Sequence, residues 1–97
     1  MKSLAIRELE EKMHTYQGKV NFFTVVQEQK EEKVKFLEAE IKDGEHAPLE
    51  YKRLAENWEE AVKERNEAKR HKEIYQIFVS ELSQILSYVE DEVVEND

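Results

Sequence analysis

Glu11-Lys12-Met13-His14 is the chain's one Glu-x-x-His. On a helix, residues three apart share a face, so this carboxylate and imidazole could ligate one metal ion. A carboxylate di-iron site, however, takes two such motifs and two further glutamates, all facing inward. Only one motif is present, and Met13 is the member that falls on the apolar side, which leaves Glu11 and His14 outside. No metal centre is expected. The second candidate is the basic stretch Lys63, Arg65, Lys69, Arg70, His71 and Lys72. Glu64 and Glu67 interrupt it, and on a helix it spreads round much of the circumference. The whole chain carries a net charge of −8, which does not suit a nucleic-acid backbone that requires a positive field. A solvated, salt-bridged face or an acidic protein partner is the better expectation.

Two wider resemblances bear on function. Glu31-Glu32 and Glu59-Glu60 resemble the paired acids of helical nucleotide pyrophosphohydrolases, which hold Mg²⁺ with a Glu-Glu-x-x-Glu run. Here Glu59-Glu60-Ala61-Val62-Lys63-Glu64 is one residue too long, and Val34-Lys35 stands where a third acid would follow Glu31-Glu32. No enzyme activity, catalytic residue or cofactor is expected on that basis. Length, acidity and Tyr88-x-x-x-Glu92 are similar to the small Trp-x-Gly hairpins of type VII export, which implies a larger secreted helical partner. The Trp-x-Gly turn itself is missing: the break here is Asp43-Gly44, and Trp58 lies well inside the second half.

The elements that would position these residues are helical. Charged residues make up 39% of the 97 positions, hydrophobic ones another 39%, and an ordinary globular domain has only about 25% charged. Long helices accommodate that excess. Two Gly and one Pro are too few for the turn every ~8–12 residues of a sandwich or barrel. There is no Cys, so neither disulfides nor thiolate zinc sites arise. No apolar run reaches the ~18–20 residues of a membrane span, and the N-terminus becomes charged too early for a signal peptide. A cytoplasmic location is expected, with no membrane partner.

The strongest break is Lys42-Asp43-Gly44-Glu45-His46-Ala47-Pro48. A cation suits a helix C-terminus, Gly44 is expected in the left-handed conformation beyond it, and Pro48 suits the first turn of a new helix. Helix one is expected over about 3–43, the turn over 43–47 and helix two over 48–93, a single hairpin spanning 1–97. Upstream of the turn, Ile6, Leu9, Met13, Tyr16, Val20, Phe23, Gln27, Lys30, Val34, Leu37 and Ile41 step alternately by three and four, the pattern of a coiled-coil seam. Downstream, Tyr51, Leu54, Trp58, Ala61, Arg65, Ala68, Lys72, Tyr75, Val79, Leu82, Leu86, Val89 and Val93 do the same. A fold at Gly44 brings Ile41 to Tyr51, Val34 to Trp58, Met13 to Val79 and small Ala68 to large Phe23. Gln27, Lys30 and Arg65 then coincide as a register-setting polar layer, with Glu31 and Glu64 near enough to pair with Lys30 and Arg65. Residues 20–26 and 74–79 are β-prone, and Gly18 costs a helix roughly 1 kcal/mol relative to Ala. The heptad nevertheless runs through all of them, so helix is expected, with a local kink at Gly18.

A second apolar line remains. Ile74, Ile77, Phe78, Ile85 and Tyr88 lie off the seam of helix two, as Phe22, Val25 and Val26 do on helix one. One partner helix covers one line, and contiguous exposed apolar surface marks an interface. The expected fold is all-α, an antiparallel two-helix coiled-coil hairpin that dimerises into a four-helix bundle. The expected function is non-catalytic protein–protein interaction, as a small adaptor, assembly factor or inhibitor of the kind phage and mobile elements encode. The expected partner is a protein, either a second copy or a larger helical chain. An acidic nucleic-acid mimic and an export-associated hairpin are the alternatives.

Overall fold

In the computed structural model, backbone is described for residues 3–95 and side chains for residues 3–89. Two helices, α1 (Leu4–Asp43) and α2 (Pro48–Glu95), fold back on each other as an antiparallel hairpin. No strand occurs among the described residues. The β-prone segments 20–26 and 74–79 are helical, and α1 runs through Gly18 without a break. The seam explains why. Val20 is buried, and Phe23, Tyr75 and Val79 are half-buried. Their packing outweighs a propensity difference of at most about 1 kcal/mol per residue.

Each helix start has its own cap. Ser3 Oγ accepts the Ile6 amide at 3.2 Å, which satisfies one of the free N–H groups of the first turn of α1. At the start of α2, Ala47 O accepts the Tyr51 amide at 2.9 Å. Pro48 follows in the position where a missing N–H costs nothing, and Glu50 supplies the anion of the first turn.

The end of α1 departs from the sequence expectation. No glycine has positive φ, so Gly44 is not a left-handed cap. One of the last four carbonyls of α1, Glu40 O, is instead satisfied by a side chain: His46 Nε2–H donates to it at 2.6 Å. A carbonyl only accepts, so the proton sits on Nε2, while Nδ1 faces Glu50 Oε2 at 3.9 Å. Gly44 is the residue that leaves room for this ring. A Cβ there would stand 2.6 Å from His46 Cε1 and Nε2.

The chain forms two compact units. One comprises residues up to Phe22 together with those from His71 on; the other is Phe23–Arg70. The core of the Phe23–Arg70 unit is Val34, Leu37 and Ala61, with Leu54, Trp58 and Val62 packed against it. Val34 and Trp58 thus share one cluster, as the seam register requires, and Ile41 and Tyr51 line one shallow groove. Trp58 Nε1–H donates to Glu38 Oε1 at 3.2 Å, which satisfies the indole. Ala68 is buried and Phe23 half-buried.

The polar layer lies in the same unit, and its pairing differs in part from expectation. Lys30 Nζ donates to Glu64 Oε2, with each side chain about one-third exposed. Among the described residues Arg65 is not paired with a carboxylate. Its Nε and Nη2 both approach Asn66 Oδ1 at 3.4 Å. The Gln27 amide oxygen is buried and has no hydrogen-bond partner among the described residues. Sequence spacing places Arg65 near Gln27, but its guanidinium turns along α2 toward its neighbour.

In the other unit Ile6, Val20 and Leu86 are buried, while Leu9, Met13, Tyr16, Tyr75, Val79, Leu82 and Val89 are half-buried. Met13, Val79 and Leu86 line one shallow groove between the helices. The seam position Val93 lies outside the described side chains.

Candidate interaction face

The unit built from both chain ends leaves one side of α2 uncovered. At about 100° per residue, the seam Tyr75–Val79–Leu82–Leu86–Val89 and the second line are centred roughly 110° apart round the helix. One neighbouring helix therefore cannot cover both. Exposure broadly follows this angle: Phe78 39%, Ile74 40%, Ile85 45%, Ile77 56% and Tyr88 74%. Glu81, in the middle of the line, is exposed. Phe22 of α1, 59% exposed, belongs to the same unit.

Phe78 has a double role that spacing alone did not reveal. Of these residues it lies nearest the seam. Its ring sits 5.3 Å from Tyr16 and 6.0 Å from Tyr75, and Tyr16 and Tyr75 are 5.7 Å apart. Tilted and edge-on aromatic contacts of this kind contribute about 0.5–1.5 kcal/mol beyond area burial. Phe78 thus holds α2 to α1 with one edge and faces solvent with the other. Ile74, Ile77, Ile85 and Tyr88 form the outward part of the face. Val25, 52% exposed, and half-buried Val26 belong to the Phe23–Arg70 unit.

The remaining candidates are placed as follows. Glu11 and His14 are exposed. No group of three or more His, Cys, Asp or Glu suited to a metal ion occurs among the described residues. Of the basic stretch, Lys63, Lys69, Arg70 and His71 are exposed, while Arg65 and Lys72 lie half-buried along the seam. The carboxyl of Glu64 is held below its ordinary value. The hydrogen bond from Lys30 does most of this, against partial desolvation, with help from the charges of Lys30 and Lys33.

Sequence reasoning passed over three further exposed apolar side chains: Phe36 (64%), Leu49 (67%) and Leu4 (72%). Phe36 borders a groove at the turn with Ala39, Glu40 and His46. Their positions off the seam were the available signal, but neither Phe36 nor Leu49 has a large apolar neighbour three or four residues away that would extend it into a line.

No helix among the described residues is long and apolar enough to cross a membrane. The sequence matches no protein-family model, and no curated protein or solved structure shows significant similarity to it.

Proposed function

We propose that this protein is a non-catalytic protein–protein interaction module that assembles through the uncovered face of α2, two copies joining into a four-helix bundle. The observation that carries this reading is the line Ile74, Ile77, Ile85 and Tyr88, 40–74% exposed on a regular helix and interrupted only by Glu81. Two further quantities support it. The accessible surface of the chain is 7769 Å², about a third more than the roughly 5,800 Å² that size scaling gives for a folded monomer of its mass. The excess, about 1,900 Å² per chain, exceeds the roughly 600–1,000 Å² that a standard protein interface removes from each partner, so a second copy has ample surface to cover. The buried hydrophobic core is also thin: Ile6, Val20, Val34, Leu37, Ala61, Ala68 and Leu86 among the described residues. Small domains with little core are commonly completed by oligomerisation. In such an assembly the protein acts as an adaptor or assembly factor that presents the acidic outer surface of the bundle.

The test is the mass in solution of the wild type and of a variant carrying Ile77→Asp and Ile85→Asp. Both side chains point away from the seam, so the hairpin should persist in the variant. A wild type that stays monomeric at high concentration would overturn self-association and leave the face to a different helical chain.

A further inference from the structure

We infer that the groove between Tyr51 and Trp58, in the Phe23–Arg70 unit, is a docking site for one basic side chain of a partner protein, arginine in preference to lysine. It lies within one compact unit and uses none of the residues Ile74–Tyr88, so it does not depend on self-association. Ala55 makes the groove. Tyr51 lies four residues before it and Trp58 three after, so all three share one face of α2. A small side chain between two large rings leaves a notch of about 290 Å³, which Ile41 lines from α1. Small-molecule pockets run to roughly 300–1,000 Å³, so the notch suits one long side chain better than a whole metabolite. Trp58 is half-buried, and its Nε1–H donates to Glu38 Oε1 at 3.2 Å, which holds the indole in place. Tyr51 is 54% exposed.

Charge identifies the occupant. Two carboxylates border the notch, half-buried Glu38 from α1 and exposed Glu59 from α2. Neither is in a salt bridge among the described residues. The faces of aromatic rings attract cations, Trp most strongly, and the two carboxylates add to that field. Arginine fits the set better than lysine. Its planar guanidinium stacks on a ring while its fork of N–H groups bonds a carboxylate. An apolar side chain in the same place would take the carboxylates out of water with nothing to pair them. An acidic one would meet like charge. Lys42, exposed and one turn from Glu38, also borders the notch. Its ammonium lowers the negative charge there and works against an incoming cation, so its removal should tighten binding.

The chain has a single tryptophan, so the Trp58 indole N–H gives one signal in a nitrogen–proton correlation spectrum of the full-length protein. Titration with N-acetyl-arginine amide should shift that signal saturably. N-acetyl-lysine amide should bind more weakly, and N-acetyl-citrulline amide, the neutral isostere of arginine, should give no saturable shift. Added salt should weaken the arginine probe. Glu59→Gln and Tyr51→Leu both replace exposed side chains and should each raise its Kd about two- to five-fold, while Lys42→Ala should lower it. An alanine-based helical peptide bearing one arginine should bind at least as tightly as the blocked amino acid. No saturable shift up to the solubility limit of the arginine probe would overturn the inference. So would citrulline binding as well as arginine, or a Kd that neither Glu59→Gln nor Tyr51→Leu changes, because the cation would then not be read in this notch. A peptide that fails where the blocked amino acid binds would overturn the assignment to a protein partner.

Discussion

Replacing Gln27 by Leu should stabilise the protein, contrary to the usual effect of altering a half-buried residue. The Gln27 amide oxygen is buried and no donor reaches it among the described residues. A buried acceptor left unsatisfied costs about 1–3 kcal/mol. Leu occupies a similar volume, carries no polar atom, and continues an apolar seam whose members two turns away on either side, Val20 and Val34, are both buried. The gain should therefore be about 1–3 kcal/mol, and at roughly 4–8 °C per kcal/mol for a domain of this size the melting temperature should rise visibly. Urea unfolding followed by far-UV circular dichroism measures it, with protein concentration held fixed because assembly contributes to apparent stability. A polar residue at such a position commonly fixes register at some cost in stability, so the variant should also form slipped or larger assemblies that light scattering detects. A loss of more than about 1 kcal/mol in Gln27→Leu would refute the reasoning, because it would mean that the amide makes bonds the side-chain geometry does not show.

Gly18→Ala should stabilise by about 0.5–1 kcal/mol, since the site is mid-helix and an added Cβ meets nothing within 4 Å; an unchanged or lower urea midpoint would contradict this. Gly44→Ala and His46→Ala should be strongly coupled. Alone, Gly44→Ala displaces the His46 ring from Glu40 O and forfeits about 1 kcal/mol, which offsets its chain-entropy gain of similar size. In the His46→Ala background it should stabilise by about 0.4–1 kcal/mol, and a double-mutant cycle with no coupling energy would exclude the ring as the cap. The Lys30–Glu64 pair should make stability pH-dependent in one direction. Because the folded carboxyl titrates below its ordinary value of 4.5, its contribution is fully present above that value and is lost as pH falls through the lowered one. The stability gap between wild type and Glu64→Gln should therefore be constant from neutral pH down to about 4.5 and close below it. A gap that persists in acid would assign the effect to packing.

The hairpin was legible in the sequence because the seam is written twice, once in each half, and the two halves agree about a single turn. Helix periodicity depends only on residue spacing, so Val34, Leu37, Ala61 and Leu86 could be placed inside before any contact was known. What spacing could not show were details decided by where a side chain turns. Gly44 looked like a left-handed cap because Gly beyond a helix end usually is one. The His46 ring, two residues on, satisfies the carbonyl instead. Arg65 has acids within a turn, yet its guanidinium reaches Asn66. Phe78 belongs to the second line by spacing, but a large ring at the border of two faces reaches the seam, where Tyr16 and Tyr75 receive it. The outward face was legible as a line of residue types. Its most exposed members, Ile77 and Tyr88, became distinguishable from Phe78 only through packing.

Sedimentation equilibrium of the wild type and of the variant with Ile77→Asp and Ile85→Asp tests the central claim most directly. The wild type should sediment at twice the 11.6 kDa chain mass. Across the pair, the substitutions remove four partly exposed isoleucines and introduce four carboxylates. At about 1 kcal/mol or more for each lost side chain, the dimer should weaken at least ~1,000-fold. The variant should be a monomer that retains the helical circular dichroism of the wild type. A wild type at the mass of one chain across the accessible concentration range, or a variant still dimeric at the lowest concentration measured, would contradict assembly through the outer face of α2.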